Sequence, residues 1–151
     1  MCSPATVYLL NELGNTLVVL GPQLDGTLTE LQVLSTLPDG FNEFSHTAHL
    51  GLSPDGRHLY ASNRGHDSLM VVDVGVDGLV ANPRWTPSGG RWPWFFTVTS
   101  QGQMLVANNL SDSLTVFDID GEGDLHPVRQ LTVPRPVFVV EWPTRSPTSS
   151  S

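Results

Sequence analysis

The chain has one cysteine, Cys2, and seven basic residues against fifteen acidic ones. A lone thiol excludes an internal disulfide framework and fits a reducing compartment. The formal charge of −8 argues against a surface for phosphate backbones, whose affinity comes chiefly from Lys and Arg. Nucleic acid is therefore not an expected partner. No apolar run approaches the roughly 20 residues that span a bilayer as a helix, and no basic segment followed by an apolar stretch opens the chain. Membrane association is not expected, and the location these absences favour is cytoplasmic. A long amphipathic helix pattern is missing, as is a G-x-G-x-x-G cradle ahead of a helix. Asp118 to Asp124 is acidic, yet it lacks the length and terminal glutamate of an EF-hand loop.

What the chain has in quantity is turn chemistry: 14 glycines and 12 prolines, with 39% hydrophobic residues to supply a core. The stretch HLGLSPDGRHLYASNRGHDSLMVVDV, His49 to Val74, reads as strand, tight turn, strand, polar corner, strand. Asp55-Gly56 is its sharpest turn signal, which explains Ser53-Pro54-Asp55-Gly56 better than a serine triad does. The unit repeats. Asn11 and Asn63 lie 52 positions apart, as do Gly26 and Gly78, while Leu69 and Leu114, and Gly78 and Gly123, lie 45 apart. A period of about 45 residues carrying four strands marks a β-propeller blade. The expectation is an all-β chain, a partial β-propeller of about three blades of four-stranded antiparallel sheet, occupying 1–143. It comprises an incomplete blade at 5–40, blades at about 46–88 and 93–134, and a closing strand at 137–142, with a disordered tail at 144–151. Propellers close with four to eight blades, so open edges are left, and self-association through them is expected.

The segments NELGNTLVVL, AHLGLSPDGRHLYASNRGHDSLMVVDV, GGRWPWFFTVTSQGQMLVANNLSDSLTVFDID and VPRPVFVVEWP resemble the C-terminal portion of the seven-bladed lactonase propellers. That family includes bacterial-type 6-phosphogluconolactonases and fungal carboxymuconate cyclases. The resemblance covers Val7 to Pro143, with SPDGR followed by LYASNRGHDS as its most specific string. It implies hydrolysis of an anionic sugar lactone such as 6-phosphogluconolactone in a central funnel, a small anionic lactone or sugar phosphate as partner, no metal and no other cofactor, and a parent of about twice this length. For the isolated chain it implies a carboxylic ester hydrolase framework with little or no turnover of its own. The alternative is a non-catalytic propeller fragment, serving as an interaction module or being an incomplete gene product.

Blade geometry places Glu12, Arg64, His66 and Asn109 on one rim with His46, His49, Arg91, Trp92 and Trp94. Arg64, in the family-like SNRG string, is the first catalytic candidate, because a guanidinium can bind an anion bidentately and stabilise an oxyanion. Glu12, in the matching position one blade earlier, is a candidate general base or else a structural partner of Arg64. His49 stands where the family commonly has glutamate after alanine, here Ala48-His49, and an imidazole can still move protons near neutral pH. Trp94 stands where the family has arginine after proline, here Pro93-Trp94, with Arg91 as the cation available to substitute. Arg91, Trp94, His46 and Asn109 are the candidate substrate-binding residues. Packing between blades is the competing explanation for Trp92 and Trp94. His46 and His49 are three apart, which on a strand does not place them side by side, so they make no metal site.

Overall fold

Runs of β-branched and aliphatic residues broken by Asp-Gly and Asn-rich corners produce, among the described residues, eleven strands and almost nothing else. The structure, a computed structural model, describes residues 5–142. Cys2 and the expected tail at 144–151 lie outside the described residues.

Three antiparallel sheets follow one another along the chain. The first contains β1 (Val7–Asn11), β2 (Thr16–Pro22) and β3 (Leu28–Ser35). The second contains β4 (His46–Leu52), β5 (His58–Arg64), β6 (Ser68–Val74) and β7 (Val80–Pro87). The third contains β8 (Pro93–Val98), β9 (Gln103–Asn108), β10 (Ser113–Ile119) and β11 (Leu125–Thr132). By repeat position β1 corresponds to β5 and β9, so among the described residues the first sheet has no counterpart of the innermost strands β4 and β8. A three-residue 3-10 turn, Asn109–Ser111, forms the corner of the third sheet.

The expected strand at 137–142 does not form. In the repeat this segment stands where an innermost strand begins, and such a strand pairs with the one that follows it in its own blade. No such partner is present among the described residues. The segment is held instead by side chains: Glu141 accepts hydrogen bonds from the Ser100 amide and hydroxyl at 2.8 and 2.7 Å, and Phe138 stacks on Phe95 at 4.1 Å.

The core consists of two layers, one on each face of the middle sheet. Successive residues of a strand point to opposite faces. Leu59, Ala61, Met70 and Val72 therefore meet Leu17 and Val19 of the first sheet, while Tyr60, Leu69 and Val71 meet Phe96, Met104, Val106 and Phe117 of the third. This is why β5 and β6 read as nearly unbroken buried runs.

The repeat is also visible in its polar joints. Asn15, Asp67 and Asp112 occupy equivalent corners with φ of 50°, 57° and 50°. Asn and Asp enter this left-handed region more readily than other side-chain-bearing residues. Each corner carbonyl accepts a hydrogen bond from the segment leaving the fourth strand, from Thr36, Ser88 and Val133 at 2.9, 2.9 and 3.0 Å. Between sheets, the Tyr8 hydroxyl donates to the Gly78 carbonyl at 2.8 Å, and Tyr60 repeats the bond to Gly123 at 2.9 Å. Gly78 and Gly123 are turn residues with φ of 83° and 84°. A Cβ added at Gly123 would lie 2.5 Å from the His58 ring, so glycine serves there both for conformation and for close approach.

Candidate functional site

Irregularities in the two innermost strands shape the rim. In the β4–β5 ladder Thr47 faces Asn63, but the next pairing is Leu50 with Ala61, so Ala48 and His49 together oppose Ser62. In the β8–β9 ladder Pro93 faces Asn108 and Phe95 faces Ala107, leaving Trp94 unpaired. Such bulges re-aim side chains. Ala48 and Trp94 both line a cavity of about 340 Å³ whose other walls are Leu10, Glu12, Thr47 and Arg64.

Arg64 ends β5, and the residue is only 8% exposed. Its Nη2 donates to Glu12 Oε1 at 2.6 Å and to the Thr47 carbonyl at 3.2 Å, whereas its Nε is buried without a partner. The guanidinium carbon lies over two indoles, 5.0 Å from the Trp94 centroid and 5.6 Å from that of Trp92, within reach of a cation–π attraction. Glu12 lies in the β1–β2 corner. That corner is brought to Arg64 by cross-sheet bonds from Thr47 Oγ1 to the Asn11 carbonyl at 2.9 Å and from Asn15 Nδ2 to the Ser45 carbonyl at 2.8 Å. The Glu12 side chain is 58% exposed, so the ion pair has one buried member and one open to solvent.

The remaining candidates are placed elsewhere. His49 does not join Arg64 and Glu12: alternation turns it away from Ala48, and its ring lies 4.2 Å from Phe95 and 4.8 Å from Phe96. Burial there holds its pKa below the ordinary histidine value, favouring the neutral form. His46 packs at 4.4 Å on Phe44, which stacks on Trp92. Asn109 donates from its side chain to the Pro136 carbonyl at 3.4 Å. Arg91 is exposed, held through a hydrogen bond from its amide to Ser111 Oγ at 2.8 Å, and lines no part of the cavity. It therefore adds no cation to the wall that Trp94 occupies. Trp92, whose contact with Arg64 was not foreseen, has φ of 67° and donates its amide to Asp67 Oδ1 at 2.9 Å. No local sequence signal marks that conformation.

A larger cavity of about 550 Å³ opens at the opposite ends of the strands, beside Arg57, His58, Asp73, Arg84 and Asp124. Its inner cation is already in use. Arg84 bridges Asp73 at 3.0 Å and Asp124, and donates to the Glu122 carbonyl at 2.6 Å. Burial opposes the charge, but the hydrogen bonds to Asp124 and Asp73 outweigh it and raise the Arg84 pKa. This cluster fastens the second sheet to the third. Among the described residues no three His, Cys, Asp or Glu side chains are arranged to hold a metal ion.

The sequence profile described as lactonase, 7-bladed beta-propeller, matches residues 3–141. The chain belongs to the lactonase family. Among its relatives, the 6-phosphogluconolactonase of Bacillus subtilis is 33% identical over 119 residues, which are 76% of this chain and 34% of that protein. The solved structure of a periplasmic gluconolactonase from Pseudomonas aeruginosa superposes with a TM-score of 0.81 at 31% identity, covering 87% of this chain and 38% of that one. A Lactobacillus plantarum protein gives 0.82 at 29% identity, covering 87% and 40%. The chain thus spans about a third of the length of the curated relatives it matches. His49 and Trp94 each sit at one of the two bulges.

Proposed function

We propose that this lactonase-family chain supplies the Arg64–Glu12 part of a site that hydrolyses an anionic sugar lactone such as 6-phosphogluconolactone. The observation that carries the reading is a buried guanidinium presented to a rim cavity beside a solvent-open carboxylate. In the proposed reaction an Arg64 N–H donates to the lactone carbonyl oxygen and stabilises the negative charge that grows there. Glu12 accepts a proton from water as the water oxygen bonds to the acyl carbon. The tetrahedral centre collapses with cleavage of the acyl carbon to ring-oxygen bond. The leaving oxygen takes the proton from Glu12, and a hydroxy acid results.

Binding without turnover is favoured by a different observation. His49 and Arg91 stand outside the cavity, leaving one cation and one acid that already neutralise each other. Hydrolysis of 6-phosphogluconolactone above its spontaneous rate, measured with the purified chain, separates the two readings. Under the hydrolytic reading Arg64→Ala lowers the catalysed rate about 10²–10³-fold, and Arg64→Lys restores little because a point charge lacks the guanidinium fork. Binding of 6-phosphogluconate that needs Arg64, with no catalysed rate, selects the second reading. Wild-type rate and binding both preserved in Arg64→Ala would overturn either.

A further inference from the structure

We infer that Trp94 is the specificity-determining residue of this mouth, a platform on which the ring of a sugar lactone or cyclic sugar acid stacks while its carbonyl or carboxylate oxygen meets Arg64. The inference rests on the lactone-site reading and adds to it what distinguishes one anion from another.

Packing does not account for Trp94. It belongs to neither core layer, and 42% of it is exposed. The contrast with Trp85 is direct: that indole packs against the core and donates Nε1 to the Thr36 carbonyl at 2.8 Å. Trp92 is also occupied, stacked on Phe44 with an interplanar angle of 8°. Trp94 alone of these three lines the cavity, and it is placed there by the β8 bulge, a feature that serves to re-aim a side chain. Arg64 lies over one part of the Trp94 indole, and an aromatic surface whose remainder is exposed at the wall of a concave site, next to a convergent charged group, has the makeup of a small-molecule site.

Charge alone would make a poor selector here. Arg64 and Glu12 are the cavity's charged residues and cancel, and the whole chain carries −8. An incoming anion shares Arg64 with Glu12, which is already bonded to it, and so meets little net positive charge. Discrimination then falls to the part of the ligand that meets the indole. A hydroxylated ring has C–H faces for stacking and an anionic group for Arg64, whereas inorganic phosphate has only the latter.

The test is a titration of the full chain with inorganic phosphate and two sugar acids that keep the pyranose ring, glucuronate and galacturonate, comparing wild type, Trp94→Ala, Trp94→Phe and Arg64→Ala. Trp94→Ala is expected to weaken both sugar acids about tenfold and leave phosphate unchanged, while Trp94→Phe keeps most of the affinity. Arg64→Ala weakens all three. If Trp94→Ala leaves the sugar acids untouched while Arg64→Ala weakens them, the platform is refuted and the anion site stands. Equal losses for phosphate and sugar acids in Trp94→Ala would show that the indole only supports Arg64, which also refutes the platform. Wild-type protein that binds none of the three overturns both readings.

Discussion

Replacing Gly123 by alanine probes how closely the second and third sheets are fitted. Two costs are expected. An alanine at φ of 84° pays about 1–2 kcal/mol for the left-handed conformation. Its Cβ would also lie 2.5 Å from two carbons of the buried His58 ring, and overpacking of that kind costs about 1–3 kcal/mol. The sum is about 2–5 kcal/mol. Gly56 provides the control, because it sits at a hairpin turn with φ of 74° and has nothing within 4 Å of an added Cβ. Gly56→Ala should therefore cost only the conformational part. Urea unfolding followed by tryptophan fluorescence measures both. Adding His58→Ala to Gly123→Ala should recover about 1–3 kcal/mol relative to the sum of the single effects, since the clash has lost one partner. Equal destabilisation by Gly56→Ala and Gly123→Ala, with additive behaviour in the double variant, would refute the argument.

Two further outcomes follow from buried polar groups. Tyr60→Phe removes the hydroxyl whose pKa burial pushes up to about 12 and leaves the Gly123 carbonyl without that donor, a loss of about 1–2 kcal/mol; the partly buried counterpart Tyr8→Phe should cost about half as much, and equal losses in thermal melts would contradict the burial argument. For His49, burial depresses the folded pKa below 6.5. The stacked neutral ring therefore contributes fully above the unfolded value and loses that contribution as pH falls through the lower folded value. His49→Phe has no such loss, so its melting temperature relative to wild type should rise between about pH 7.5 and pH 5; parallel curves would count against it.

Much of the fold was legible because glycine and asparagine positions recur at spacings that only stacked, similar sheets explain. Asn11 and Asn63 identified equivalent corners, and that equivalence was enough to place Glu12 near Arg64 across two sheets. The bulges were not legible. A period-2 reading assigns each strand residue to one of two faces, and nothing in Ala48-His49 or Pro93-Trp94 shows that two residues will oppose one. The destination of Trp94 in the cavity, and of His49 among phenylalanines, depended on that detail. The segment from Val137 to Trp142 failed differently: its composition suits a strand, but a ladder needs a neighbour, and composition does not report whether one is present. Arg91 illustrates a third limit, since proximity in sequence to Trp94 does not place a guanidinium at the same wall.

The joints between sheets are nearest-neighbour links, repeated by Tyr8 to Gly78 and Tyr60 to Gly123 and lapsing where Leu105 stands in the third sheet's equivalent position. Stability in such an array behaves like a short one-dimensional chain of coupled units. The middle sheet takes part in two couplings, while the first and third share one described coupling each. A sequence change in β5 or β6 is thus propagated in both directions at once, and the same change in β2 or β10 in one. Tolerance to substitution should accordingly be lowest in the middle of the array, independent of distance from Arg64, so that mutational sensitivity there reports on coupling between units rather than on chemistry at the rim.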